Sequence, residues 1–92
     1  MAEQIITGID VGTYQVKVAI VRVSNNKQER GLPQVVGTGH AESRGLRNGY
    51  ILNEHDVIRS IRSAVAQAEK VAGVQVKKAY VSIGSIGLDE LT

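Results

Sequence analysis

The 92-residue chain has no cysteine, no phenylalanine and no tryptophan, and only one proline and one methionine. Without cysteine there is neither a disulfide nor a thiolate metal site. With tyrosine the only aromatic, at Tyr14, Tyr50 and Tyr80, the core has to be assembled from Ile, Val, Leu and Ala. A chain of this size buries only roughly 60–65% of its unfolded surface, so that core is small. No apolar run approaches the roughly 18 residues of a membrane span, and no signal peptide precedes the first apolar segment, which reads as a cytoplasmic chain. Nor is there a block of one charge: 11 Lys and Arg are scattered among 9 Asp and Glu, for a formal net charge of +2. Lacking a basic block and an aromatic platform, the composition speaks against nucleic acid as a partner. Glycine is plentiful, with 10 residues, and marks turns and close approaches in an otherwise globular composition.

The segment Ile5-Ile6-Thr7-Gly8-Ile9-Asp10-Val11-Gly12-Thr13 organises the rest. Its apolar, β-branched run reads as a buried strand, and the strand ends on an acidic residue, a glycine and a hydroxyl. Burial of Asp10 there would be costly unless a cation or a set of hydrogen bonds compensated it. Gly12 removes the side chain where the backbone turns, so amide N–H groups can approach an anion. Thr13 adds a hydroxyl beside them. Asp, Gly and Thr are also ordinary turn residues, so Asp10-Val11-Gly12-Thr13 alone is equally a plain hairpin. A second apolar run, Val16 to Val23, begins just past the turn and places Asp10 at the tip of a long hairpin.

Strands are expected over residues 4–12, 15–23 and 34–42, joined by a turn at Gly12-Thr13-Tyr14 and a polar loop from Asn25 to Pro33. The three form an antiparallel meander. In the third, Gly37 and Gly39 predict a bulge or a neighbouring backbone passing close by. Ser43 to Gly49 reads as a loop whose Arg44 and Arg47 are either solvated or open to an acidic partner. A helix of about five turns then starts from the N-cap Asn53, with Glu54 and Asp56 where the helix dipole favours negative charge. Its apolar face is expected to be Val57, Ile58, Ile61, Ala64, Val65, Ala68 and Val71 or Ala72, and Gly73 its terminator. A last strand over residues 77–84 follows, parallel to the first because a helix connects them. Residues 85–92 carry no cap, stop or second helix, and the chain reads as a piece of a longer one. His40 and His55 have no Cys or His at ligand spacing, which leaves no metal site built from protein ligands.

The order βββαβ, with Asp-x-Gly-Thr at the first hairpin, resembles an α/β ribonuclease H-like half-domain of the actin, hexokinase and heat-shock chaperone superfamily: a mixed sheet under one long covering helix. Within that superfamily four blocks resemble the FtsA family of actin-like bacterial cell-division proteins. They are Gly8-Ile9-Asp10-Val11-Gly12-Thr13, Ser43-Arg44-Gly45-Leu46-Arg47-Asn48-Gly49 with Tyr50-Ile51, Ile58 through Val74, and Tyr80-Val81-Ser82-Ile83-Gly84. The resemblance implies that residues 1–84 are the N-terminal part of an actin-like nucleotide-binding lobe, and that residues 85–92 begin an inserted domain or form a disordered end. It implies ATP and Mg²⁺ as ligands. Asp10 would sit near the water shell of the nucleotide-bound Mg²⁺, while Gly12, Thr13 and Tyr14 would offer amides, and Thr13 its hydroxyl, to the β- and γ-phosphates. The family's lysine shortly after the Thr is missing, since this chain reads Thr13-Tyr14-Gln15. Lys17, seven residues after Asp10, stands at the spacing at which actins place a phosphate-contacting lysine. It shares a face with Gln15 and Ala19, and either reaches the phosphates or is solvated. The fourth strand ends Ser82-Ile83-Gly84-Ser85-Ile86 where the family has Ser-Gly-x-x-Ile, a smaller departure.

The resemblance further implies an ATP-binding scaffold of bacterial cell division that links the FtsZ ring to the membrane and is at most a weak ATPase as a whole protein, with no turnover by this segment alone. Its expected partners are FtsZ, later division proteins and copies of itself in filaments, all through parts outside this stretch. Its expected place is peripheral, on the inner face of the cell membrane at the division site. Two relatives on the same fold are alternatives. The pilus-assembly actin-like protein shares the nucleotide lobe and docks a different peptide, and a sugar or acetate kinase would carry its catalytic base on a later strand. A heat-shock chaperone typically has a second Thr where Tyr14 stands.

Overall fold

Alternating β-branched residues that close on a glycine turn make the first hairpin, and the rest of the sheet is laid on either side of it. The computed structural model describes residues 3–24, 33–43, 46–47, 50–51, 53–83 and 86–91. The elements in chain order are β1 (Glu3–Val11), β2 (Gln15–Ser24), β3 (Gln34–Glu42), β4 (Leu46–Arg47), β5 (Tyr50–Ile51), α1 (Glu54–Ala72), β6 (Ala79–Ile83) and β7 (Ile86–Leu91). Five strands form one sheet in the order β3-β2-β1-β6-β7, and β4 and β5 pair separately. β1 runs antiparallel to β2 and parallel to β6, as the helical crossover requires. The sheet is therefore mixed and the architecture is α/β, which is compatible with the half-domain read from the sequence.

Four elements differ from the sequence reading. Leu46–Arg47, expected as part of the Ser43–Gly49 loop, pair antiparallel with Tyr50–Ile51, for which no strand was expected. Ile86–Leu91 form a strand antiparallel to β6, so the edge beyond β6 is occupied. β6 begins at Ala79 rather than at Lys77. Most of the expected Asn25–Pro33 loop lies outside the described residues, as do Arg44, Gly45, Asn48 and Gly49.

α1 has the caps its sequence advertises. Asn53 is extended (φ −144°, ψ 107°), and its side-chain oxygen accepts the Asp56 N–H at 3.2 Å, satisfying one of the orphan amides of the first turn. Gly73 ends the helix in the left-handed region (φ 72°) and donates its N–H to the Glu69 carbonyl at 2.8 Å. The Glu69 side chain also accepts the Val76 N–H at 2.6 Å, tying the helix end to the connection into β6.

The buried face of α1 is narrower and smaller than its hydrophobic pattern suggests. Val57, Ser60, Ala64 and Ala68 are buried, whereas Ile58 and Val71 are 39% and 70% exposed. The reason lies in β3. A Cβ at Gly39 would collide with the Ala64 carbonyl oxygen and lie 2.9 Å from the Ala68 amide nitrogen; one at Gly37 would collide with the Ala68 carbonyl oxygen and lie 2.8 Å from the Ala72 Cβ. The helix backbone thus rests directly on the strand backbone, through a small seam of Ser60, Ala64, Ala68 and Ala72 at a spacing of four. Bulky Ile58 and Val71 fall outside that seam. Ser60 helps to fix it, its single hydroxyl proton shared between the Glu42 carbonyl at 2.9 Å and the Asp56 carbonyl at 3.1 Å. Both expectations for the β3 glycines are met, because the β2–β3 register also shifts between Ile20 and Val21, leaving Val36 as the extra residue of a bulge.

Beneath the helix, Ile9, Val11, Val16, Val18 and Ile20 form the centre of the core, joined by Ala79 and Val81 from β6. Strand alternation turns the intervening residues to the other face. Among the described residues no helix is long and apolar enough to cross a membrane.

Candidate functional site

The face of the sheet opposite α1 is an open trough of about 700 Å³ whose lining includes Ile6, Gly8, Asp10, Lys17, His40 and Tyr80. Alternation decides its membership. Ile9 and Val11 point to the helix, so Gly8 and Asp10 take the open side, as do Gln15 and Lys17 on β2, Thr38 and His40 on β3, and Tyr80 on β6. Asp10 is consequently exposed, not buried at its strand end. The pattern that buries its neighbours turns its carboxylate away from the core, and no internal cation is needed to compensate it.

Register places the polar residues in a row. Asp10 is the cross-strand partner of Lys17, and Lys17 is the partner of His40. Directly opposite residues have Cβ atoms roughly 4.5–5.5 Å apart, so the carboxylate, the ammonium and the imidazole occupy one band of the open face. Among the described residues neither Asp10 nor Lys17 makes an ion pair. Lys17 does lie on the face of Gln15 and Ala19, as the alternation predicted.

Above this row the hairpin closes at Gly12-Thr13-Tyr14. The Gly12 N–H donates to the Gln15 carbonyl at 3.0 Å, so this amide is spent on the turn itself. A Cβ at Gly12 would stand 3.1 Å from that same carbonyl oxygen, which is the structural reason for glycine here. The Tyr14 carbonyl accepts the Ser43 N–H at 3.0 Å, anchoring the turn to the end of β3. The Thr13 and Tyr14 amides have no acceptor among the described residues. The Tyr14 ring is 87% exposed and takes no part in the core. Two open amides, a hydroxyl, a carboxylate and an ammonium therefore gather at one end of the open face. That set suits a hydrated phosphate ligand with Mg²⁺, which keeps several waters and needs only one or two carboxylates beside the phosphates. Among the described residues no three His, Asp or Glu cluster to hold a metal by themselves.

The structure adds His40 to this set. Its place follows from two strand registers taken together, a signal available in the sequence once both hairpins were aligned.

No protein-family model matches the chain. Individual proteins do. The chain is 35% identical over 81 residues to the cell division protein FtsA of Streptococcus pneumoniae serotype 2 (strain D39), a match covering 88% of this chain and 17% of that protein. It is 34% identical over 80 residues to the cell division protein FtsA of Pseudomonas aeruginosa, covering 87% of this chain and 18% of that protein. Over this stretch the chain is similar to FtsA proteins. It spans about a sixth of the length of these FtsA relatives. The match to FtsA of Borreliella burgdorferi, 29% identical, takes in 89 residues, or 97% of the chain, and so includes the hairpin with Asp10, the β3 glycines and all of α1.

Proposed function

We propose that this stretch is the first phosphate-binding wall of an actin-like, ribonuclease H-like ATP-binding lobe, serving a bacterial cell-division scaffold. The observation that carries the reading is the β1–β2 turn, where the Thr13 and Tyr14 amides have no acceptor among the described residues and the nearby Asp10 and Lys17 are exposed. In this reading Thr13 and Tyr14 donate amides to phosphate, and Thr13 adds its hydroxyl. Lys17 supplies a point charge, and Asp10 accepts hydrogen bonds from the waters of Mg²⁺. Gly12 shapes the turn and contributes no amide, since its N–H is already bonded to Gln15. The bound metal neutralises phosphate charge; the chain's own groups orient and hold. The similarity to FtsA proteins supports a role in cell division, with ATP binding, FtsZ and membrane linkage, self-association into filaments and a place at the division site as the parts of that role proposed here. The relatives matched above are FtsA proteins, which favours this over a pilus-assembly or kinase relative.

The test is a hybrid protein. The matching segment of the S. pneumoniae FtsA is replaced by this chain, folding is checked by circular dichroism and sedimentation, and Mg²⁺-ATP is titrated. Binding within a few-fold of the parent is expected. A folded hybrid that has lost ATP binding would refute the reading.

A further inference from the structure

His40 lies opposite Lys17, and its backbone shows what kind of pair they form. The His40 N–H turns away from β2 and donates to Oε1 of Gln67 at 3.2 Å. In an antiparallel ladder a residue whose amide faces outward belongs to the narrow, non-hydrogen-bonded type, with Cα atoms roughly 4.5 Å apart and the side chains in closest approach. The position is also held firmly, because the preceding Gly39 lies against the backbone of α1. The imidazole and the ammonium therefore share one small area of the open face, and both are exposed.

Two such groups repel once the imidazole takes a proton. An anion seated over them replaces that repulsion with two charge-assisted contacts. We propose that His40 is a second cationic contact, beside Lys17, for the phosphates of the nucleotide, and that binding is thereby linked to protonation. This rests on the ATP-binding reading above. The charged groups facing His40 are Lys17 from β2, Asp10 beyond it on β1, and Glu42 two residues along β3 on the same side. β6 brings the Tyr80 ring to this face, and α1, on the opposite face, meets this end of β3 through Gln67 and Ser60. The two carboxylates compete with phosphate for the imidazolium. Asp10 stands beside Lys17 instead, and Glu42 is displaced by roughly 7 Å along the strand. The sign follows directly: the imidazolium form is favoured in acid, so affinity is highest near pH 6 and declines toward pH 8. A single close charge makes that change about fivefold.

The 92-residue chain is titrated with millimolar Mg²⁺-ATP at pH 6 and pH 8 and followed by NMR at the Thr13 and Tyr14 amides and at the two imidazoles, with His55 at the start of α1 as internal control. At pH 6 the turn amides and the His40 ring should move along one binding curve while His55 stays still. The ratio of affinities between pH 6 and pH 8 should be about fivefold larger than in a His40→Gln chain, in which ATP's own titration is unchanged and cancels. If the turn amides respond while the His40 ring does not, or if the pH ratio matches that of His40→Gln, this inference falls and the ATP reading stands. If His40 and His55 respond alike, the contact is diffuse ion binding and the inference also falls. If nothing responds at the turn, this inference falls, and the hybrid titration above decides the ATP reading.

Discussion

Replacing Gly39 by alanine should be the most damaging single-methyl change among the sheet glycines Gly8, Gly37 and Gly39. The new Cβ would meet the Ala64 carbonyl oxygen and lie 2.9 Å from the Ala68 amide nitrogen and 3.0 Å from the Ala64 carbonyl carbon. All three belong to the helix backbone, where the Ala68 amide and the Ala64 carbonyl stand at hydrogen-bonding spacing, and none can rotate aside. Relief requires α1 and β3 to separate by roughly 1 Å, and a gap of that size forfeits a quarter to a half of the dispersion energy along the seam. Overpacking of this kind typically costs about 1–3 kcal/mol, set against a gain of about 0.4–1 kcal/mol from a stiffer unfolded chain. A net loss of about 1–2 kcal/mol would lower the Tm of a domain this size by roughly 5–15 °C. Gly8→Ala is the matched control: it adds the same methyl to a strand, at ordinary φ, with nothing within 4 Å. That change should be neutral or stabilising by up to about 1 kcal/mol. Urea and thermal unfolding, followed by circular dichroism, compare the two. Equal stability for Gly39→Ala and Gly8→Ala would show that the helix does not rest on β3 as described.

Glu69→Ala removes the acceptor of the Val76 N–H and should cost about 1.5 kcal/mol, with amide exchange at Val76 accelerating first; unchanged exchange there would count against the contact. Asn53→Ala should cost about 1 kcal/mol through the lost cap, and Asn53→Asp should restore it in the same unfolding assay. In the FtsA hybrid, Asp10→Ala should weaken Mg²⁺-ATP binding by roughly ten- to hundredfold, the worth of charged hydrogen bonds, while leaving unfolding unchanged because the side chain is exposed. Lys17→Ala in the same hybrid should reduce affinity for ATP far more than for adenosine, and equal losses would reassign Lys17 to packing through its stem. The 92-residue chain alone should bind Mg²⁺-ATP more weakly than low micromolar, since a few amide contacts seldom outweigh the roughly 4–15 kcal/mol lost on association; calorimetry decides.

Local signals carried the sequence reading a long way. Apolar, β-branched runs between turn signals located β1, β2 and β3, Asn53 and Gly73 bounded α1, and the helical crossover required β6 to run parallel to β1. These features are legible because each depends on residues within a few positions of one another: a cap, a turn, or an alternating run. The β1–β2 turn was visible for the same reason, with Asp10, Gly12 and Thr13 adjacent in the chain. What the tertiary structure alone decided depends on residues far apart. Glycine at 37 and 39 brings the helix backbone onto β3, and that contact selects Ser60 and the alanines for burial over Ile58 and Val71. Hydrophobicity favours the larger side chains, but the space between the two backbones admits only the smaller ones. The apolar residues around Asp10 put it at the end of a buried strand, yet the helix covers one face of the sheet and the carboxylate belongs to the other. His40 is 30 residues from Asp10 in the chain and two strands away in the sheet, a proximity that arises only when both registers are set at once.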